Sequence, residues 1–455
     1  MTGTKTGTSL GWFGIMRLGL VQTALGTIVV LATSTMNRVM VVEMVLPALL
    51  PGVLVALHYA VQVLRPRQVL LRRRWSANPW IIGGMALLGI AGIAAAVATA
   101  WMATNPTAGI VLAVLAFLLI GVGVGASGTS LLVLLAERVD DRRRAAAATI
   151  VWVMMISGFV VTATVAGHFL DPFSPERLVA VTGVAAASAF VLTILAVYDI
   201  ERRTAPPAYR AVERNAGPQP PFAEALAEVW AEPQARRFAI FIFISMLAYS
   251  GQDLILEPFA GAVFGLTPGE STRLAGVQHG GVLIGMLLVA LAGSAASRSR
   301  LGSMHAWTIG GCVLSAAALF SLAMAGSMAP DWPLRASVFG LGVANGAFAV
   351  AAIASMMRLV GTGQSSREGV RMGLWGAAQA VAFGLGGMIG TAAVDAIRYL
   401  YGSPILAYTA VFAAEAMLFL IAAGLATRVY RLPLALSASR LTTGAEGFTV
   451  GLDQA

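Results

Sequence analysis

The chain is divided into stretches of about twenty apolar residues, the length a helix needs to cross a bilayer core of roughly 30 Å. In lipid, every backbone N–H and C=O must be satisfied internally, which leaves only helices and closed barrels. The stretches are continuous rather than alternating in polarity, so helices are expected. Twelve are read, at about 17–42, 47–64, 79–101, 108–136, 146–169, 178–198, 238–258, 274–294, 306–326, 334–357, 371–394 and 405–427. With 58% hydrophobic and 11% charged residues in 455, a soluble globular fold is excluded.

The charges between the spans set an orientation. Placing the termini and every second loop in the cytoplasm puts all Lys and Arg there except Arg38, Arg177, Arg273, Arg335 and Arg398. Both termini are therefore expected to be cytoplasmic. The same topology accounts for the net charge of +9 without nucleic acid as a partner; anionic lipid suits the basic loops at 65–75 and 137–144. Cys312 is the single cysteine and lies within a span, which excludes an internal disulfide and any multi-cysteine metal centre. No removable leader is expected from the first fourteen residues, which hold one lysine and no apolar core.

The longest polar stretch, 199–237, is dense in proline and charge and reads as a linker with a short amphipathic helix at 222–230. It divides the chain into an N-terminal six-helix bundle at 1–198 and a C-terminal one at 238–427, with a polar tail at 428–455. The halves echo each other. The first span ends Asn37-Arg38 followed by Glu43, and the seventh ends Gln252-Asp253 followed by Glu257; Arg144 precedes Trp152 by the same interval as Arg367 precedes Trp375. Two pseudo-symmetric six-helix bundles, all-α and with twelve transmembrane helices, are the expected architecture.

Ionisable groups at membrane depth are costly and mark functional sites by default. Asp253 stands about 24 Å up its helix from Arg237 at 1.5 Å per residue. Arg38 has the matching place in the first half and the opposite sign. An Arg38–Asp253 ion pair between the halves is one expectation; the other is satisfaction within each half, Arg38 by Glu43 and Asp253 by local groups. Gln278 and His279 are expected at the start of the eighth span, at a similar depth to Gln252 and Asp253; a lone histidine lacks the spacing of a metal motif. Asn345, Trp375 and Gln379 are candidates for lining a central cavity. Glu415, mid-span in the last helix, should face the bundle; contact with a partner is the alternative. GVGVGASG at 121–128 lies within a span and is no phosphate loop. Without a nucleophile motif, metal cluster or nucleotide loop, no enzymatic activity and no metal or nucleotide cofactor are expected.

The run QDLILEPFAGAVFGLTPGESTRLAGVQHGGVLIGM from Gln252 resembles the PucC/LhaA family, the bacteriochlorophyll-delivery branch of the major facilitator superfamily. Further similar segments are NGAFAVAAIASMMRL and REGVRMGLWGAAQAVAFGLGGMIG within Asn345 to Gly390, TSTMNRVMVVEM from Thr33, and AERVDDRRRAAAATIVWVMMISG from Ala136. After the second span the chain departs from the family, with HYAVQVLRPRQVLLRRRW in place of a longer FRALIG-type segment. The resemblance implies a multi-pass protein of the bacterial inner membrane, cytoplasmic or intracytoplasmic, that assists assembly of light-harvesting complexes. Bacteriochlorophyll is then the expected cargo, its magnesium offered an axial donor by His279 or Gln278, with antenna subunits and pigment-synthesis proteins as partners and the oligomeric state open. Composition and topology alone would support the alternative, a proton-coupled or facilitative small-molecule transporter with Arg38, Asp253 and Glu257 as coupling groups.

Overall fold

The computed structural model describes residues 10–62, 77–200, 222–295, 303–361 and 368–429. The basic loop at 65–75, most of the proline-rich linker, Arg367 and the tail from 430 lie outside the described residues. Every regular element among the described residues is helical. The first half holds α1 (Trp12–Glu43), α2 (Leu49–Gln62), α3 (Ala77–Trp101), α4 (Pro106–Arg138), α5 (Asp141–Phe169) and α6 (Pro175–Val197). The amphipathic α7 (Phe222–Ala231) follows. The second half holds α8 (Pro233–Phe264), α9 (Pro268–Ala295), α10 (Met304–Ala325), α11 (Leu334–Gly361), α12 (Glu368–Tyr401) and α13 (Pro404–Val429).

Eleven of these helices are long and apolar enough to cross a membrane. The second expected span appears as α2, an apolar helix of 14 residues, about 21 Å at 1.5 Å per residue. Several helices overrun the apolar stretch that announced them. Thus α9 begins at Pro268, so Gln278 and His279 lie about three turns inside it rather than at its start. Leu115, Val184, Leu291, Leu314 and Leu400 face outward, as lipid-facing positions do.

The packing repeats. In the first half α1 packs on α5 and α6, α3 on α4 and α6, and α2 on α4; in the second, α8 packs on α12 and α13, α10 on α11 and α13, and α9 on α11. The halves meet mainly where α5 packs on α9 and α2 on α12, a pair of contacts that also exchange under the repeat. Without a hydrophobic drive between helices in lipid, close approach depends on small residues. The α9–α11 contact is the clearest case: a Cβ on Gly281, Gly285, Gly342 or Gly346 would strike a carbonyl oxygen of the opposite helix, those of Phe339, Val343, Gln278 and Val282 in turn.

Candidate functional site

The expected polar residues converge where α1 meets α8 and α9. Two π turns, Leu31–Thr35 and Val39–Glu43, flank a short α segment, Met36–Arg38, that carries Asn37 and Arg38. Such turns often accompany functional positions, because the extra residue re-aims the side chains beside it. Here it aims Asn37 and Arg38 at the second half.

Asn37 is buried, and its Nδ2 donates to the Leu254 carbonyl across 2.7 Å. Sequence explains why that carbonyl is available. Four residues on is Pro258, inside α8, which has no N–H to return. An amide of the first half thus completes the ladder that a proline of the second leaves open. At the same level the Thr35 and Thr272 hydroxyls pair at 3.1 Å.

Arg38 is 2% exposed and forms an ion pair with Glu43 one turn on, while its Nη2 donates to the Leu266 carbonyl at 2.5 Å. The guanidinium lies over Gly261, where an added Cβ would sit 3.0 Å from Nε and Nη2. Of the two expectations for Arg38, pairing with Glu43 is the one observed; the cross-bundle pair with Asp253 is not formed. The π turns send the guanidinium toward the loop after α8, and Asp253 instead accepts from Gln278 Nε2 at 3.1 Å.

Around Asp253 lies a buried group of polar side chains. Both amide atoms of Gln252 and both carboxyl oxygens of Glu257 lack hydrogen-bond partners among the described residues. Glu415 projects from α13 into the bundle, 4% exposed, with its carboxyl group fitted against Gly251 and Gly390 and neither oxygen hydrogen-bonded among the described residues. Its inward placement answers the cost of a carboxyl in lipid.

His279 sits at the α5–α9 seam. Its ring meets Phe159 edge-on, centroids 4.9 Å apart, beside Ile156, Val282 and Met286. Its Nδ1 is 2.8 Å from the Ala275 carbonyl. A carbonyl only accepts, so Nδ1 carries the proton and Nε2 keeps a lone pair.

Two cavity candidates are core residues instead. Asn345 is fully buried inside the second half and accepts from Ser315 at 2.8 Å. Trp375 is 1% exposed, donates to the Ala235 carbonyl at 3.2 Å and packs edge-on against Phe238. Gln379, about one turn beyond Trp375, is half-buried.

Two residues outside the sequence-derived set join the halves at the Arg38 end. Asp171, just after α5, accepts from the Gly269 amide at 3.1 Å and the Thr267 hydroxyl at 2.9 Å. Asp395, on α12, accepts from the Ala48 and Leu49 amides at 3.0 and 2.8 Å. Thr267 and Glu270 form a reciprocal capping box, with bonds of 3.0 and 3.1 Å. The Thr-x-x-Glu spacing in FGLTPGEST was the available signal for the start of α9. A bowl of about 670 Å³ opens at this end, lined by Arg38, Glu43, Asp171, Phe173, Leu266 and Glu270 among others.

Apolar helices in two matching sets, tied through buried polar contacts, define a multi-pass membrane protein. The family model described as PUCC protein matches residues 35–433, and the chain belongs to that family. Among its relatives, the Rhodobacter capsulatus protein named bacteriochlorophyll synthase 44.5 kDa chain is 52% identical over 423 residues, covering 92% of this chain and 96% of that protein. Protein PucC of the same organism is 29% identical over 433 residues, covering 90% of each. Solved structures share the fold. A bacterial homologue of the human lysosomal transporter Spinster, inward-facing and unoccupied, matches at TM-score 0.64 and 15% identity, covering 94% of this chain and 98% of that one. The D323A mutant of the nucleoside transporter NupG matches at TM-score 0.64 and 13% identity, covering 92% of this chain and 100% of that one. This is a photosynthesis-related membrane protein with a major facilitator type of fold.

Proposed function

We propose that the protein is an assembly factor for bacterial light-harvesting complexes, one that binds bacteriochlorophyll and passes it to antenna subunits. Twelve spans, with both termini cytoplasmic in the bacterial inner membrane, belong to the same reading, as do antenna subunits and pigment-synthesis proteins as partners. The observation that carries it is His279: an imidazole whose Nδ1 is committed to a backbone carbonyl, leaving Nε2 as a lone-pair donor on an apolar seam between the halves. A chlorin magnesium takes one axial nitrogen or oxygen donor and surrounds it with an apolar macrocycle. A pigment of that kind would enter sideways from the bilayer. The name of the 52% identical relative supports pigment chemistry as the setting.

That name also carries an enzymatic alternative, and the structural neighbours carry a transporter one. Gln252 and Glu257, buried beside Asp253 and without hydrogen-bond partners among the described residues, favour the transporter reading. The assembly role is proposed here as non-enzymatic. Gentle purification of the tagged protein from cells making antenna tests it. Bacteriochlorophyll absorption and copurifying small antenna subunits are expected, with pigment lost in His279→Ala. A colourless, solitary protein from such cells would reject the proposal and make proton-driven uptake in vesicles the next assay. Conversion of a pigment precursor by the purified protein would establish an enzyme.

A further inference from the structure

Asp171 and Asp395 make one contact twice. Helix α5 pairs with α1 as α12 pairs with α8, and α9 pairs with α11 as α2 pairs with α4. Under that repeat α5 corresponds to α12 and α9 to α2. Each carboxylate therefore stands at or near the end of an equivalent helix and accepts two hydrogen bonds from the beginning of an equivalent helix in the other half. Asp171 spends one oxygen on the Gly269 amide and the other on the Thr267 hydroxyl; Asp395 spends one on the Ala48 amide and the other on the Leu49 amide. The first turn of a helix has N–H groups without partners and a partial positive charge, so a carboxylate there is doubly favoured.

Each acid also has a guanidinium at hand. Arg273 of α9 reaches within 3.7 Å of Asp171 and donates to the Gly167 carbonyl at 2.8 Å, while Arg398 donates to Asp395 at 3.1 Å. At the first cap the backbones of α5 and α9 touch, since a Cβ on Gly269 would collide with Asp171 and a Cβ on Gly167 would come within 2.7 Å of the Gly269 carbonyl. Asn37 and Arg38 cross to the Leu254 and Leu266 carbonyls at the same end.

We propose that Asp171 and Asp395 form a paired latch holding this end of the molecule closed, and that the two halves part there when both caps are released. The caps are suited to release. Asp171 and Asp395 are 28% and 20% exposed, so on parting water replaces what each carboxylate and each helix terminus gives up. A fully buried ion pair would have to shed its partner into a dry interior and would weld the end shut. The inference concerns a motion of the halves and stands apart from whether pigment is the cargo.

Pulsed spin-label distances on the full chain test it. Ala103→Cys in the first half and Met328→Cys in the second report on separation at this end; both positions are exposed, and Cys312 is fully buried. The expected result is a short distance in the parent, an open-to-closed ratio raised about tenfold by Asp171→Ala or Asp395→Ala, and one raised about a hundredfold by the pair, since charge-assisted bonds at separate sites act additively. Asp171→Asn with Asp395→Asn keeps one acceptor oxygen per cap and should shift the ratio less than the alanine pair; it also decides the matter if the alanine pair does not fold. Unchanged distances in the double variants overturn the proposal, as does a single variant equal to the double. A second label pair within the first half, Ala103→Cys with Glu176→Cys, must stay constant. A change there would mean that the half itself has loosened, which also overturns the latch.

Discussion

Replacing Asn37 by Ala should cost most where Pro258 is present, because the two residues serve one carbonyl. In the native chain Leu254 has lost its helical donor to the proline, and Asn37 Nδ2, 2.7 Å away, takes its place. Removing the amide forfeits a hydrogen bond and leaves a buried acceptor without a partner. The usual range for the two effects together is about 1–3 kcal/mol in proteins, and membrane double-mutant cycles reach about 1.7 kcal/mol at most, so about 1.5 kcal/mol is expected. Pro258→Ala restores an N–H at the position from which α8 can serve Leu254 itself. In that background Asn37→Ala should cost less than about 0.5 kcal/mol, giving a coupling energy near 1 kcal/mol. Reversible unfolding of the four proteins in bicelles measures the cycle. Additive costs, with coupling inside about 0.3 kcal/mol, would refute the claim that Asn37 repairs the proline gap.

Arg371, 3% exposed at the start of α12, grips the more exposed Glu232 through Nε and Nη2 at 2.8–3.1 Å; Arg371→Ala should lower stability by about 1.5 kcal/mol in the same unfolding assay, and Lys should not restore the bidentate geometry. Glu415→Met removes a buried carboxyl that lacks a hydrogen-bond partner among the described residues and keeps its approximate shape, so the thermal midpoint should hold or rise; a large fall would show that the carboxyl has a stabilising partner. Gly269→Ala should push Asp171 away from α9 and weaken that cap, read as faster labelling of a cysteine placed at Phe173, at the bowl.

The span plan was legible in the main because a bilayer dictates length and apolarity; eleven helices meet that rule, and the second expected span is an apolar helix of 14 residues that falls short of it. The resemblance carried by the Gln252 and Asn345 segments pointed to the family that residues 35–433 match. Direction around the helix was not legible. A helix that is apolar on all sides offers no face to read, so Trp375 and Asn345, sensible cavity residues by depth, point into the core of the second half. Arg38 was aimed by two π turns that a 3.6-residue period does not anticipate. Asp171 and Asp395 were overlooked because an acid at a span's end reads as ordinary loop chemistry, although Thr267 and Glu270 announced the helix that Asp171 caps.

The glycine contact between α9 and α11 has a mechanical meaning. With backbone against backbone at Gly281, Gly285, Gly342 and Gly346, the gap between α9 and α11 leaves no room for a Cβ, so any larger side chain there would wedge the two helices apart. Asp171 holds the other end of α9 at Gly269, so a wedge at the glycine contact would press on the helix whose first turn that carboxylate caps.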